Sequence, residues 1–365
     1  MSLIKSTPEY VVYKMCKLLD QSVATCDPLN LDDFFAHQFP EMSELGRTRE
    51  LTDFISGHIH KLGYEVIKNL NETEAMAATR DLSMFASALV RWGIQVSDVP
   101  IMERVLGDLS QTTCEVPADT VFSYGPRNPT GETRRQFTTA HEESLFIQSF
   151  TDGMRELSVC LAGLEYARNV SVFDQLYPLI IGEVKNSFSE MIKAMMVVRT
   201  KVTPEFFTKK LRPFFEPKVI CGRKYFAPGG AQMPITVIDL MLWGIEESSA
   251  LYVRYWNENI QYLPKAMRSR IGTIMRGHSI VKTIEDACRC AESNKSLSMA
   301  KATIDAVHNL LTEIEKFRYP HLTVAKANMG IRVKGSVGSG GYDILILEYL
   351  IGQTKVAKQR LEYLK

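Results

Sequence analysis

The sequence contains no run of the roughly 20 uncharged apolar residues that a membrane-spanning helix requires, and its opening residues, MSLIKSTPEY, lack the apolar core of a signal peptide. It also lacks charge of one sign. The 43 basic residues meet 42 acidic ones, which removes the electrostatic footprint expected of a protein that binds nucleic acid or an anionic membrane. The expectation is therefore a cytoplasmic protein acting on small molecules, with no nucleic-acid or membrane partner. The seven cysteines are odd in number and form no CxxC pair, which argues against a disulfide framework and against a zinc site. Cys288 and Cys290 stand two apart in a helical stretch and so point to different faces. The seven histidines include no HExxH motif, and His58 and His60 have the wrong spacing for one helical face, so a multi-histidine metal centre is not expected.

What the chain has in quantity is helical periodicity. In SLSMAKATIDAVHNLLTEIEKF, apolar residues recur at Ile304, Val307, Leu311, Ile314 and Phe317, three or four apart, which predicts an amphipathic helix. Residues 74–94, 143–167, 184–200 and 344–364 behave likewise. Breaks are expected at GPRNPTGE (125–132), TPEFF (203–207), APGGAQMP (227–234) and GSVGSGG (335–341). Strand signals are thin, with one small hairpin possible in KVICGRKYF (218–226). The fold class expected is all-α, with a smaller N-terminal helical domain over 1–127 and a larger helical domain over 128–365.

One histidine stands out by its neighbours. His321 follows Pro320, which lacks an amide hydrogen and is expected to break or restart a helix there, and Leu322, Val324, Ala325 and Met329 surround it with apolar side chains. A single neutral imidazole in an apolar pocket is what a five-coordinate haem iron requires; a core histidine bonded to backbone carbonyls is the alternative reading, and spacing alone leaves both open. The GSVGSGG loop does not fit GxGxxG or a phosphate loop. It reads either as a linker or as a loop whose small residues let backbone amides and the Ser339 hydroxyl approach a ligand. APGGAQMP, with adjacent glycines between prolines, poses the same choice as a turn with an exposed backbone.

The stretch VTPEFFTKKLRPFFEPKVICGRKYFAPGGAQMPITVIDLMLWG, followed by FRYPHLTVAKANM and then GSGGYD, resembles the haem-dependent indoleamine and tryptophan 2,3-dioxygenase superfamily, and within it the monodechloroaminopyrrolnitrin synthase branch. ATCDPL, NPT and AHEES are similar too, so the resemblance runs across most of the chain. It implies that His321 is the proximal ligand of a b-type haem and that Ser339, Gly340 and Gly341 close over the substrate beside a haem propionate. It further implies that Gly229, Gly230 and Ala231 lie at the haem edge, that Phe146 and Ser149 stand on the distal side, and that Arg212 holds the substrate carboxylate. The segment carries one residue more between its phenylalanines and Arg212 than the kynurenine-forming enzymes do, so a structural salt bridge competes with that role. For Phe146 the competing role is core packing. His141, a tempting distal base, sits beside Glu142 and Glu143 and reads more naturally as a solvated helix start. Met329 replaces a tyrosine of the pyrrolnitrin enzyme, exchanging a hydroxyl for a soft apolar group.

The function these features imply is a haem-dependent oxygenase or rearranging enzyme. It would act with dioxygen on tryptophan or a substituted tryptophan, with Ser339 and Ser149 as the hydroxyls nearest the chemistry and an unidentified electron donor. A dioxygenase forming N-formylkynurenine and a non-catalytic haem-binding protein are the alternatives.

Overall fold

The computed structural model describes residues 2–244, 249–291, 294–330 and 344–365, with 294–297 and 327–330 described by backbone alone. Among them the architecture is all-α apart from one two-stranded hairpin. The hairpin is the one expected: Lys218–Ile220 pairs antiparallel with Arg223–Tyr225. Its two-residue turn puts Cys221 and Gly222 at φ 49° and 74°, the left-handed pair whose twist suits adjoining strands.

Helix starts follow the local chemistry. Thr7 caps Pro8–Ala24, accepting from the Tyr10 amide at 3.2 Å, and Asn71 forms a reciprocal capping box with Glu74 at the head of Glu72–Arg91. These side chains satisfy amides that the first helical turn cannot. The helices expected near 74–94, 143–167, 184–200 and 344–364 are present as Glu72–Arg91, His141–Ala167, Leu176–Lys201 and Leu345–Glu362.

Three long helices, His141–Ala167, Leu176–Lys201 and Asn294–Gly330, pack side by side and form the frame for the site. The first two approach closely because of Gly163, where a Cβ would lie 2.5 Å from Val184 Cγ2 and 2.6 Å from Ile4 Cδ1. The third buries Ile304, Val307, Leu311, Ile314 and Phe317, the stripe its periodicity predicts. Two large hydrophobic clusters make the core. Each draws side chains from both sides of residues 127 and 128: Ile4 and Val121 join the first, and Phe214 and Tyr262 join the second.

Pro320 corrects one expectation. It neither ends nor restarts the helix, which runs unbroken from Asn294 to Gly330 with Pro320 inside it. Packing of 37 residues against two neighbouring helices outweighs the roughly 3 kcal/mol a proline costs in a helix interior.

Candidate active site

Seven of the residues singled out in the sequence line one cavity of about 420 Å³: Phe146, Ser149, Arg212, Gly229, Gly230, Ala231 and His321. That volume lies within the roughly 300–1,000 Å³ of small-molecule sites. Ser339, Gly340, Gly341 and the Met329 side chain lie outside the described residues. His141 is exposed at the first position of its helix and does not line the cavity.

His321 enters from the Asn294–Gly330 helix, one turn beyond Phe317, whose ring centroid is 5.5 Å away. Its side chain is half-buried, and the surface it keeps faces the cavity. Burial, reinforced by the Arg318 charge, pushes its pKa down to about 4, so the ring is neutral at physiological pH. Neither ring nitrogen has a hydrogen-bond partner among the described residues. The core-histidine reading requires such bonds, so this geometry does not support it.

The glycine turn faces that imidazole. A Cβ on Gly230 would stand 3.4 Å from His321 Cε1 and 3.6 Å from Nε2, in ordinary contact, so the turn lies directly against the imidazole. The turn is folded inward rather than exposed as the sequence suggested: Pro228 and Gly229 are buried, and Gly230–Gln232 forms a 3-10 turn. Gln232 pins it, donating to the Ala227 carbonyl at 2.9 Å and accepting from the Val121 amide at 3.1 Å.

The aromatic wall comes from two segments. Phe146 meets Phe150 edge-on at 4.9 Å and Phe207 at 5.3 Å, so it serves both the core and the cavity. Ser149 donates its hydroxyl hydrogen to the Phe146 carbonyl at 2.7 Å, which leaves lone pairs as what it offers a ligand. Phe207 begins a π turn over Phe207–Leu211. This is the segment with one residue in excess, and a single extra residue in a helix is absorbed as a wider i→i+5 turn. The turn places Thr208 and Arg212 on the cavity wall. The Thr208 hydroxyl is buried without a hydrogen-bond partner among the described residues. Arg212 Nη1 donates to the Phe215 carbonyl at 2.6 Å and pairs with Glu216 at 3.3 Å, so the structural salt bridge and the cavity position coexist.

Sequence reasoning missed several lining residues. Asp239 and Arg318 form a buried ion pair on the wall, with Arg318 also donating to the Leu350 carbonyl at 2.7 Å. Asp239 Oδ2 has no hydrogen-bond partner, and burial outweighs Arg318 in raising its carboxyl pKa. A lone carboxylate in the apolar run ITVIDLMLW was the available signal, because a buried charge needs a partner. Glu143 is a correction: far from being solvated, it is buried and accepts from the Phe137 and Thr138 amides and the Thr138 and Tyr124 hydroxyls. Burial pushes its pKa up to about 7 against those donors.

Among the described residues no three His, Cys, Asp or Glu side chains converge as a metal cluster. A metal at His321 would need its remaining ligands from a cofactor, as in haem. The single uncommitted neutral imidazole, the glycine beside it and the ligand-sized apolar cavity fit that group.

The fold and cavity together define an all-α protein with a ligand-sized cavity beside one imidazole. The chain belongs to the monodechloroaminopyrrolnitrin synthase PrnB family, an enzyme family whose model matches residues 17–363.

Proposed function

We propose that this protein binds haem b through His321 and acts, with dioxygen, on tryptophan or a ring-substituted tryptophan, as an oxygenase or rearranging enzyme of the pyrrolnitrin type. The observation that carries the reading is the neutral, unpartnered imidazole of His321 facing an apolar cavity. Family membership supports the indole amino acid as the substrate class. When bound, haem supplies the dioxygen chemistry.

The chain supplies ligation, orientation and exclusion of water. His321 offers a nitrogen that needs no proton removed first. The Asp239–Arg318 ion pair and the Arg318 bond to the Leu350 carbonyl tie the helix turn before His321 to the surrounding helices, so the imidazole is held before a ligand arrives. Phe146, Phe150 and Phe207 form an apolar wall suited to the flat indole. Gly229, Gly230 and Ala231 allow a close backbone approach, and Ser149 presents an acceptor to the indole N–H. Arg212 lies on the wall as a fixed cation. The resemblance assigns the amino-acid end to Ser339, Gly340 and Gly341, which lie outside the described residues.

The test is anaerobic reduction of the hemin-loaded protein, spectra with and without tryptophan, and product mass after oxygen is admitted. A tryptophan-dependent spectral change and an oxidised or rearranged indole product are expected. Two added oxygens with the ring opened would instead mark an N-formylkynurenine-forming dioxygenase, and an unresponsive spectrum would mark a protein without turnover.

A further inference from the structure

We infer that Arg199 is the residue that holds a carboxylate of whatever occupies the cavity. The inference rests on the reading above, in which the occupants are an indole amino acid and a haem bearing propionates.

The charges on the cavity wall are unequal. Among the described residues, three arginines, Arg199, Arg212 and Arg318, and one acidic residue, Asp239, line it. Arg318 is committed to Asp239 and to the Leu350 carbonyl. Arg212 is committed to the Phe215 carbonyl and to Glu216. Arg199, in the last turn of Leu176–Lys201, is exposed and makes no hydrogen bond or ion pair among the described residues.

A cation in the last turn of a helix is favoured by the helix dipole, which explains why an arginine or lysine stands there. It does not explain which way the side chain faces. Lys201 shares that turn and lies off the cavity, whereas Arg199 lines it. A carboxylate entering an apolar cavity gives up water, and a planar guanidinium with unused donors replaces those hydrogen bonds best. The one-residue excess that forms the π turn accompanies an Arg212 already engaged by its own segment, and Arg199 takes over the contact with the ligand's carboxylate.

That carboxylate has two sources, the amino-acid substrate and the haem propionates. The proteins to compare are wild type, Arg199→Gln and Arg199→Lys, with equal melting temperatures as the folding control. Tryptophan and tryptamine, which lacks the carboxylate, are titrated into each by calorimetry, and hemin and hemin dimethyl ester by absorbance. If the substrate is the source, Arg199→Gln weakens tryptophan roughly ten- to a hundredfold, the loss of a charge-assisted hydrogen bond, and leaves tryptamine unchanged. If the propionate is the source, hemin weakens by that factor and its dimethyl ester does not. Arg199→Lys recovers part of either loss. Wild type and Arg199→Gln binding all four ligands alike overturns the inference alone. A wild type that binds neither hemin nor tryptophan overturns the functional reading along with it.

Discussion

Asp81 and Asp239 are both buried helix carboxylates paired with arginine, and their surroundings are opposite. Asp81 receives both of its oxygens' worth of donors: Arg80 and Arg135 each grip it with two hydrogen bonds of 2.7–3.1 Å. Burial alone would raise its pKa, and the two guanidinium groups hold it below the usual range instead. Arg135 also reaches Asp27, Asp32 and the Thr133 carbonyl, and Arg80 reaches the Val23, Cys26 and Arg127 carbonyls. Asp239 has one arginine and an oxygen left over. On the same cavity wall, the Thr208 hydroxyl and the His321 ring also lack hydrogen-bond partners among the described residues. Buried polar groups are costly unless satisfied, so the first region, closed upon itself, is structural. The second fits the proposed site, whose ligand would bring the missing partners.

The strongest way to break this contrast is His321→Ala, which should abolish specific hemin binding with the helical circular dichroism intact; a retained Soret band would remove the distinction. In the closed region, Asp81→Asn should cost about 3–5 kcal/mol in denaturant unfolding, because two buried arginines lose their shared anion. A cost under 1 kcal/mol would show that the network is not structural. Gly230→Ala should weaken hemin roughly tenfold through crowding beside the imidazole, without lowering the melting temperature of the ligand-free protein. Thr208→Val should go the other way and stabilise the ligand-free protein by about 1 kcal/mol, since it removes a buried hydroxyl that has no partner; destabilisation would mean that the hydroxyl is already satisfied. A further effect concerns pH. The His321 ring refuses a proton until about pH 4, whereas an unfolded histidine accepts one near 6.5. Its contribution to stability is therefore present above 6.5 and is lost as pH falls from 6.5 to 4. The wild type should lose more stability than His321→Gln across that window in paired denaturation curves.

The helical class and the long helices were legible because periodicity and capping act locally: the stripe from Ile304 to Phe317 is buried as its spacing requires. The hairpin was legible for the same reason, in its Cys-Gly turn. Pro320 misled because its cost is local, whereas the packing that overrides it comes from two other helices, Leu176–Lys201 and Leu345–Glu362. Glu143 misled similarly: its partners Tyr124, Phe137 and Thr138 assemble only when the 120–140 segment folds back over the helix start. In the site, the glycine turn and His321 were readable as unusual local sequence. Arg199 and Thr208 were not picked out, since each becomes unusual only once the fold withholds a partner from it, whereas Asp239 was passed over although its place in ITVIDLMLW was a signal.

The proposed haem ligation is tested most directly at the bond His321 would make to the iron. Resonance Raman spectra of the ferrous hemin-loaded protein should show an iron–imidazole stretch in wild type, none in His321→Gly, and its return on adding free imidazole. An iron–imidazole band that persists unchanged in His321→Gly without added imidazole would contradict the account.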